Sequence, residues 1–114
     1  MADVKLKYLD KVVVVSPQKD LVGYKETDNL AESLHQAIEN GSKYIVVDLK
    51  KVSFMNSAGL GALIKAHKDA KAVGGSMKLC NLNERTHHLI ALVKLEMEFD
   101  ICTSEEEAIA SFAV

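Results

Sequence analysis

Tyr44-Ile45-Val46-Val47-Asp48-Leu49-Lys50-Lys51-Val52-Ser53-Phe54-Met55-Asn56-Ser57-Ala58-Gly59-Leu60-Gly61 sets an apolar run against a small, polar helix opening. Tyr44 to Leu49 suits a central strand buried on both faces. A short polar–apolar loop follows, and Asn56-Ser57-Ala58-Gly59 then opens an amphipathic helix. That helix turns Leu60, Leu63, Ile64 and Ala70 to one side and Lys65, Lys68 and Asp69 to the other, and it stops at Gly74-Gly75. In an open α/β sheet, ligands meet the protein beyond the carboxyl ends of the strands, which is where Lys50 to Ser57 falls. The N–H groups of Ser57, Ala58 and Gly59 lack acceptors inside the helix and, with the helix dipole, favour an anion. Asn56 is a strong N-cap residue. Gly59 and Gly61 are expected to let a partner's backbone come close. The segment reads as a surface to be touched by a partner or to carry a phosphate.

Working outward, Val4 to Tyr8 alternates weakly and Lys11 to Ser16 is β-branched, so the two predict a hairpin turning at Leu9-Asp10. Pro17 stops the second strand. Leu30, Ala31, Leu34, Ala37 and Ile38 lie on one helical stripe, with Thr27 or Asp28 as cap and Asn40-Gly41 as terminator. Glu32, Ser33, Gln36 and Glu39 form its expected solvated face. Beyond Gly75, Ser76 to Cys80 reads as a short strand. Asn83 caps a third helix carrying Leu89, Ile90 and Val93, and Phe99 to Cys102 is a last strand. Ser104-Glu105-Glu106-Glu107 is a capping box opening a helix that buries Ala108, Ile109 and Phe112. The order ββαβαβαβα predicts the α/β class: one domain over residues 1–114, with a mostly parallel central sheet, an antiparallel N-terminal edge strand and about four helices.

Composition narrows the function. A chain of 114 residues fits one domain with a core of its own. Its net charge of −2 and 5% aromatic content disfavour nucleic acid, which needs a basic footprint and stacking rings. No run approaches the roughly 20 apolar residues of a membrane helix. Cys80 and Cys102 each end an apolar run and read as small buried hydrophobes, and two cysteines without a signal peptide point to the cytoplasm.

The stretch Asp48 to Gly61 resembles the signature of STAS domains, the family of bacterial anti-sigma-factor antagonists. That pattern is an apolar strand ending Asp-Leu, a β-branched or hydroxyl residue, an aromatic, an apolar residue, then Asp-Ser-Ser/Thr-Gly-Leu. This chain supplies Asp48-Leu49, Val52-Ser53-Phe54-Met55 and Asn56-Ser57-Ala58-Gly59-Leu60. The element order and Ser104-Glu105-Glu106-Glu107-Ala108 also resemble the family. The resemblance implies a protein-binding regulator that docks on a kinase-type anti-sigma factor, with no cofactor and as a monomer or weak dimer. It implies a binding surface of Ser53, Met55, Asn56, Ser57, Ala58, Gly59, Leu60, Gly61 and Lys65. It makes the second hydroxyl position the phosphoacceptor, and here that position is Ala58, so phosphate at the usual place is not expected. Ser57 is the substitute candidate, one residue and about 100° away around the helix. Asn56 keeps the capping role of the family's Asp without its charge. The segment after the second strand, Ser16-Pro17-Gln18-Lys19-Asp20, lacks the family's Gly-x-Leu-Asp. A second reading is a STAS-like scaffold or sensor that binds another protein or a small anion outside sigma-factor control.

Other chemistry finds little support. A triad of Ser57 with His67, His87 or His88 lacks a Gly-x-Ser-x-Gly elbow, and His67 lies about 15 Å along the same helix. Adjacent His87 and His88 point to different faces, which is poor for one metal. The four histidines read as surface or half-buried. No phosphate-loop glycine pattern follows a strand. Glu96-Met97-Glu98 and Glu105 to Glu107 read as solvated, and Lys50, Lys51, Lys65 and Lys68 surround the helix start.

Overall fold

The structure, a computed structural model, describes residues 3–92 and 99–112. It has five strands, β1 (Val4–Leu9), β2 (Val12–Pro17), β3 (Tyr44–Asp48), β4 (Ser76–Cys80) and β5 (Asp100–Cys102). Four helices connect and cover them, α1 (Tyr24–Glu39), α2 (Ser57–Ala72), α3 (Glu84–Leu92) and α4 (Glu105–Ala110). The sheet order is β1-β2-β3-β4-β5, with β1 antiparallel to β2 and every later pair parallel. The predicted α/β class, the antiparallel edge and the helix count are all present.

Strand alternation divides the interior into two layers. On one face, Val13, Val15, Ile45, Val47, Met77 and Leu79 pack beneath Leu30 and Leu34 of α1, Leu63 of α2 and Ile90 of α3. On the other, Val12, Val14, Val46 and Cys80 pack against Ala108 of α4, with Tyr44, Cys102, Ile109 and Phe112 around them. β3 is buried on both faces because it lies mid-sheet, as its unbroken apolar run requires.

Several local readings need correction. Leu9 pairs with Val12, so the hairpin loop is Asp10-Lys11, and Asp10 takes the positive φ of 55°. α1 starts at Tyr24 with Gly23 as N-cap, which leaves Thr27 and Asp28 inside the helix rather than capping it. The core face of α1 runs through Leu30, Leu34 and Ala37, so it takes in Ser33 and leaves Ala31 exposed, while Glu32, Gln36 and Glu39 are solvated as expected. His67 is buried, its ring 5.1 Å from that of Phe99, because α2 turns it toward the β5 end of the core. His35, His87 and His88 are exposed. Val93 and Glu96-Met97-Glu98 lie outside the described residues.

Asn83 caps α3 by accepting the Thr86 N–H at 2.8 Å, and Ser104 caps α4 by accepting the Glu107 N–H at 3.1 Å. The returning half of the predicted box differs: Glu107 accepts the Thr103 hydroxyl at 2.7 Å. Cys80 and Cys102 are register partners on β4 and β5, and both are free thiols. Burial, with the Asp48 charge nearby, pushes the Cys80 thiol up to about 12, so it stays protonated at neutral pH and packs as an apolar group.

Candidate docking site

The loop after β3 is held by backbone and side-chain groups from three other places in the chain. Leu49 still donates to the Cys80 carbonyl at 3.0 Å, and Val52 N–H closes a turn onto the Leu49 carbonyl at 3.0 Å. The segment after β2 then runs alongside, with a parallel bridge between Leu21 and Met55. Leu21 N–H donates to the Phe54 carbonyl at 3.0 Å, and Asn56 N–H donates to the Leu21 carbonyl at 2.9 Å. Asp20 Oδ1 accepts both Ser53 N–H at 2.7 Å and Phe54 N–H at 3.2 Å. From the far side, Asn83 Nδ2 donates to the Ser53 carbonyl at 2.9 Å. A loop whose N–H and C=O groups are taken up this way is rigid without belonging to the sheet.

Asn56 joins loop to helix. Its Oδ1 accepts the Gly59 N–H at 2.9 Å as N-cap of α2, and its Nδ2 donates to the Val22 carbonyl at 3.0 Å. An aspartate could accept the first bond but has no hydrogen for the second. The amide therefore ties the helix start to the segment before α1.

Alternation sets exposed Phe54 against buried Met55. Met55 and Leu21 point inward, and Ser53 and Phe54 are exposed, Phe54 to 42%. Val22, beside Asn56, is 49% exposed, and Arg85 of α3 lies over the Phe54 ring at 5.8 Å from its centroid. On α2, Ser57, Ala58, Gly61 and Lys65 are exposed. Positions three and four apart share a helix face, so these four form one strip. Lys65 pairs with Asp69 at 2.8 Å.

Of the nine expected contact residues, Ser53, Ser57, Ala58, Gly61 and Lys65 therefore face outward and Asn56 is half-buried. Met55, Gly59 and Leu60 are buried and hold the others up. Gly59 leaves room for the chain itself: a Cβ there would meet Met55 Cγ at 2.9 Å and Leu21 Cβ at 3.0 Å. Around Gly61 the space is open. Sequence reasoning missed Asp20, Val22 and Asn83; Phe54 lies inside the expected docking segment 53–61 but was not singled out within it. Phe54 had a legible signal, since it alternates with Met55 and only one of the two can be buried.

Ser57 has an exposed hydroxyl with no hydrogen bond among the described residues. His67, its former triad candidate, sits in the core ten positions along α2, while His88 lines an open depression with Ser53, Asn83 and Arg85. At the end of β3, Asp48 accepts Lys50 N–H at 2.9 Å and Asn81 Nδ2 at 3.0 Å. Burial raises its carboxyl, but the hydrogen bonds from Asn81 and the Lys50 N–H, with the Lys50 charge, outweigh that and hold it below its ordinary value.

The sequence profile of the STAS domain matches residues 3–108. Over 77 residues the chain is 39% identical to the anti-sigma-B factor antagonist of Bacillus subtilis, covering 68% of this chain and 70% of that protein. In fold it is similar to the crystal structure of TM1081 from Thermotoga maritima, with a TM-score of 0.90, 22% identity, and 97% and 95% of the two chains covered. It is likewise similar to the anti-sigma factor antagonist SpoIIAA in its unphosphorylated form, with a TM-score of 0.78, 21% identity, and 96% and 97% covered.

Proposed function

Because this chain belongs to the STAS domain family, we propose that it is a cytoplasmic regulatory module that docks on a kinase-type anti-sigma factor, acting by binding rather than catalysis. The docking face is the exposed strip of Ser57, Ala58, Gly61 and Lys65 with Ser53, Phe54 and Val22 beside it. One observation carries this reading: a neutral lip with an exposed aromatic, held rigid by Asp20, Asn56 and Asn83 although it forms no part of the core. A preorganised apolar and hydroxyl surface loses little conformational freedom when a partner covers it. The likeness to the anti-sigma-B factor antagonist favours a partner of the anti-sigma class.

Binding of the purified protein to a kinase-type anti-sigma factor by calorimetry tests this. Ala58→Asp places an unpaired charge in the buried interface and should weaken binding at least tenfold. Phe54→Ala should cost more than about 1 kcal/mol, as an aromatic anchor does. Unchanged affinity in both removes the strip from the interface, and no binding to any such partner by a folded protein favours the scaffold reading.

Control by phosphate is closed at position 58, which has no hydroxyl. The hydroxyl available at the helix start is Ser57, one residue from the usual place, and a phosphate switch at the start of α2 acts there. Adding about −1.5 to −2 charges at Ser57 would oppose docking on an apolar surface. Intact mass after incubation with the partner kinase and ATP decides it: one added phosphate that disappears in Ser57→Ala assigns the switch, and an unmodified protein makes docking constitutive.

A further inference from the structure

On the α4 side of the sheet, away from the strip on α2, a groove of about 420 Å³ crosses the ends of β1, β2 and β3. Lys5 and Lys7 of β1 line one side, Lys50 and Lys51 the other, and Ser16 and Asp48 lie between them. Two strand spacings separate the sides, about 10 Å, which is the room that one extended polypeptide needs. The outer side of the groove is β1, a sheet edge whose outward N–H and C=O groups pair with no strand among the described residues.

The charges in the groove are unevenly matched. Lys7 is held by Glu105, which faces it from the start of α4. Lys5, Lys50 and Lys51 make no salt bridge among the described residues, and all three are exposed. Lys50 shares the groove with Asp48, yet four lysines against Asp48 and Glu105 still leave this concavity a local reversal of sign in a chain of net charge −2. We propose that this groove binds an acidic, extended segment of a protein partner, lying across the face of the sheet with its carboxylates reaching Lys5, Lys50 and Lys51.

The chemistry favours a peptide over a compact anion. The cations are spread along two walls rather than converging, and Asp48 lies between them as a carboxylate, which repels a concentrated charge at the centre. Lysine serves as a point charge and suits carboxylates arriving at varied angles. A peptide in this groove leaves the α2 strip uncovered, so the groove is independent of the docking proposed above.

The test uses an eight-residue peptide of alternating Glu and Val, titrated into the isotope-labelled full chain and followed by amide chemical shifts. Residues 4–9 and 48–51 should move, and the affinity should fall at least fivefold between 50 and 300 mM salt. Lys50→Gln with Lys51→Gln should weaken binding at least fivefold, while Lys68→Gln with Lys71→Gln, exposed lysines outside the groove, should leave it unchanged. Absence of shifts at millimolar peptide overturns the proposal, as does equal weakening by both double variants. Inorganic phosphate reproducing the same shifts would make the groove a small-anion site, and binding to phosphatidylserine vesicles but not to peptide would make it a membrane contact; either result overturns the peptide.

Discussion

Two glycines show how differently one residue type is used. A Cβ on Gly75 would lie 2.0 Å from the Lys43 carbonyl oxygen, where Ser76 N–H donates to that same oxygen at 2.9 Å. The contact joins the start of β4 to the approach of β3, and backbone cannot step aside as a side-chain tip can. Gly75→Ala should therefore lower stability by roughly 3 kcal/mol, the upper end for overpacking, read as a drop in urea midpoint. Gly61 is the converse, exposed inside α2 with open space around it. Gly61→Ala should raise stability by about 0.5–1 kcal/mol through helix propensity, in the same urea experiment. Its added methyl lies on the proposed docking strip, so the same variant separates stability from binding.

Among elements, the loop from Lys50 to Asn56 depends most on groups outside itself. Asp20 accepts two of its N–H groups, although Asp20 follows β2 and stands more than thirty positions earlier. Asp20→Ala should leave the sheet intact and speed hydrogen exchange at the Ser53 and Phe54 amides by at least tenfold, each factor of ten being 1.4 kcal/mol of lost protection. α4 presents a related dependence at its other end. Lys78, on β4, donates to the Ser111 hydroxyl at 2.7 Å and carbonyl at 3.2 Å, with its ammonium 4.7 Å from the centre of the Phe112 ring. A cation at a helix C-terminus is well placed against the helix dipole, which explains a buried lysine in an otherwise apolar layer.

Across the whole molecule, Asp48 ties the end of β3 to the loops after β3 and β4 through Lys50 and Asn81, beside Glu105 at the start of α4. Its carboxyl lies below the ordinary value of 3.8 in the folded chain. The unfolded state therefore binds the proton first as pH falls, so the stabilisation from Asp48 is fully present above about pH 4 and is lost through the folded value below it. Urea midpoints at pH 7 and pH 3 check this: Asp48→Asn should be destabilised at pH 7, and its deficit relative to the parent should shrink at pH 3. A constant deficit would assign Asp48 a packing role alone.

What the chain carries locally was legible in it. The apolar run of β3 required a central strand, the capping residues Asn56, Asn83 and Ser104 marked three helix starts, and element order gave a mostly parallel sheet with one antiparallel edge. These follow from periodicity and from hydrogen bonds spanning a few residues. The register of Cys80 against Cys102, the burial of His67 and Ser33, and the support of the docking loop by Asp20 and Asn83 were settled by tertiary contacts alone. So was the division of the signature segment into exposed Phe54, Ser57 and Ala58 and buried Met55, Gly59 and Leu60. The physical reason is that burial and long-range hydrogen bonding depend on which elements become neighbours, and a contact between residues thirty apart leaves no periodic trace in either segment.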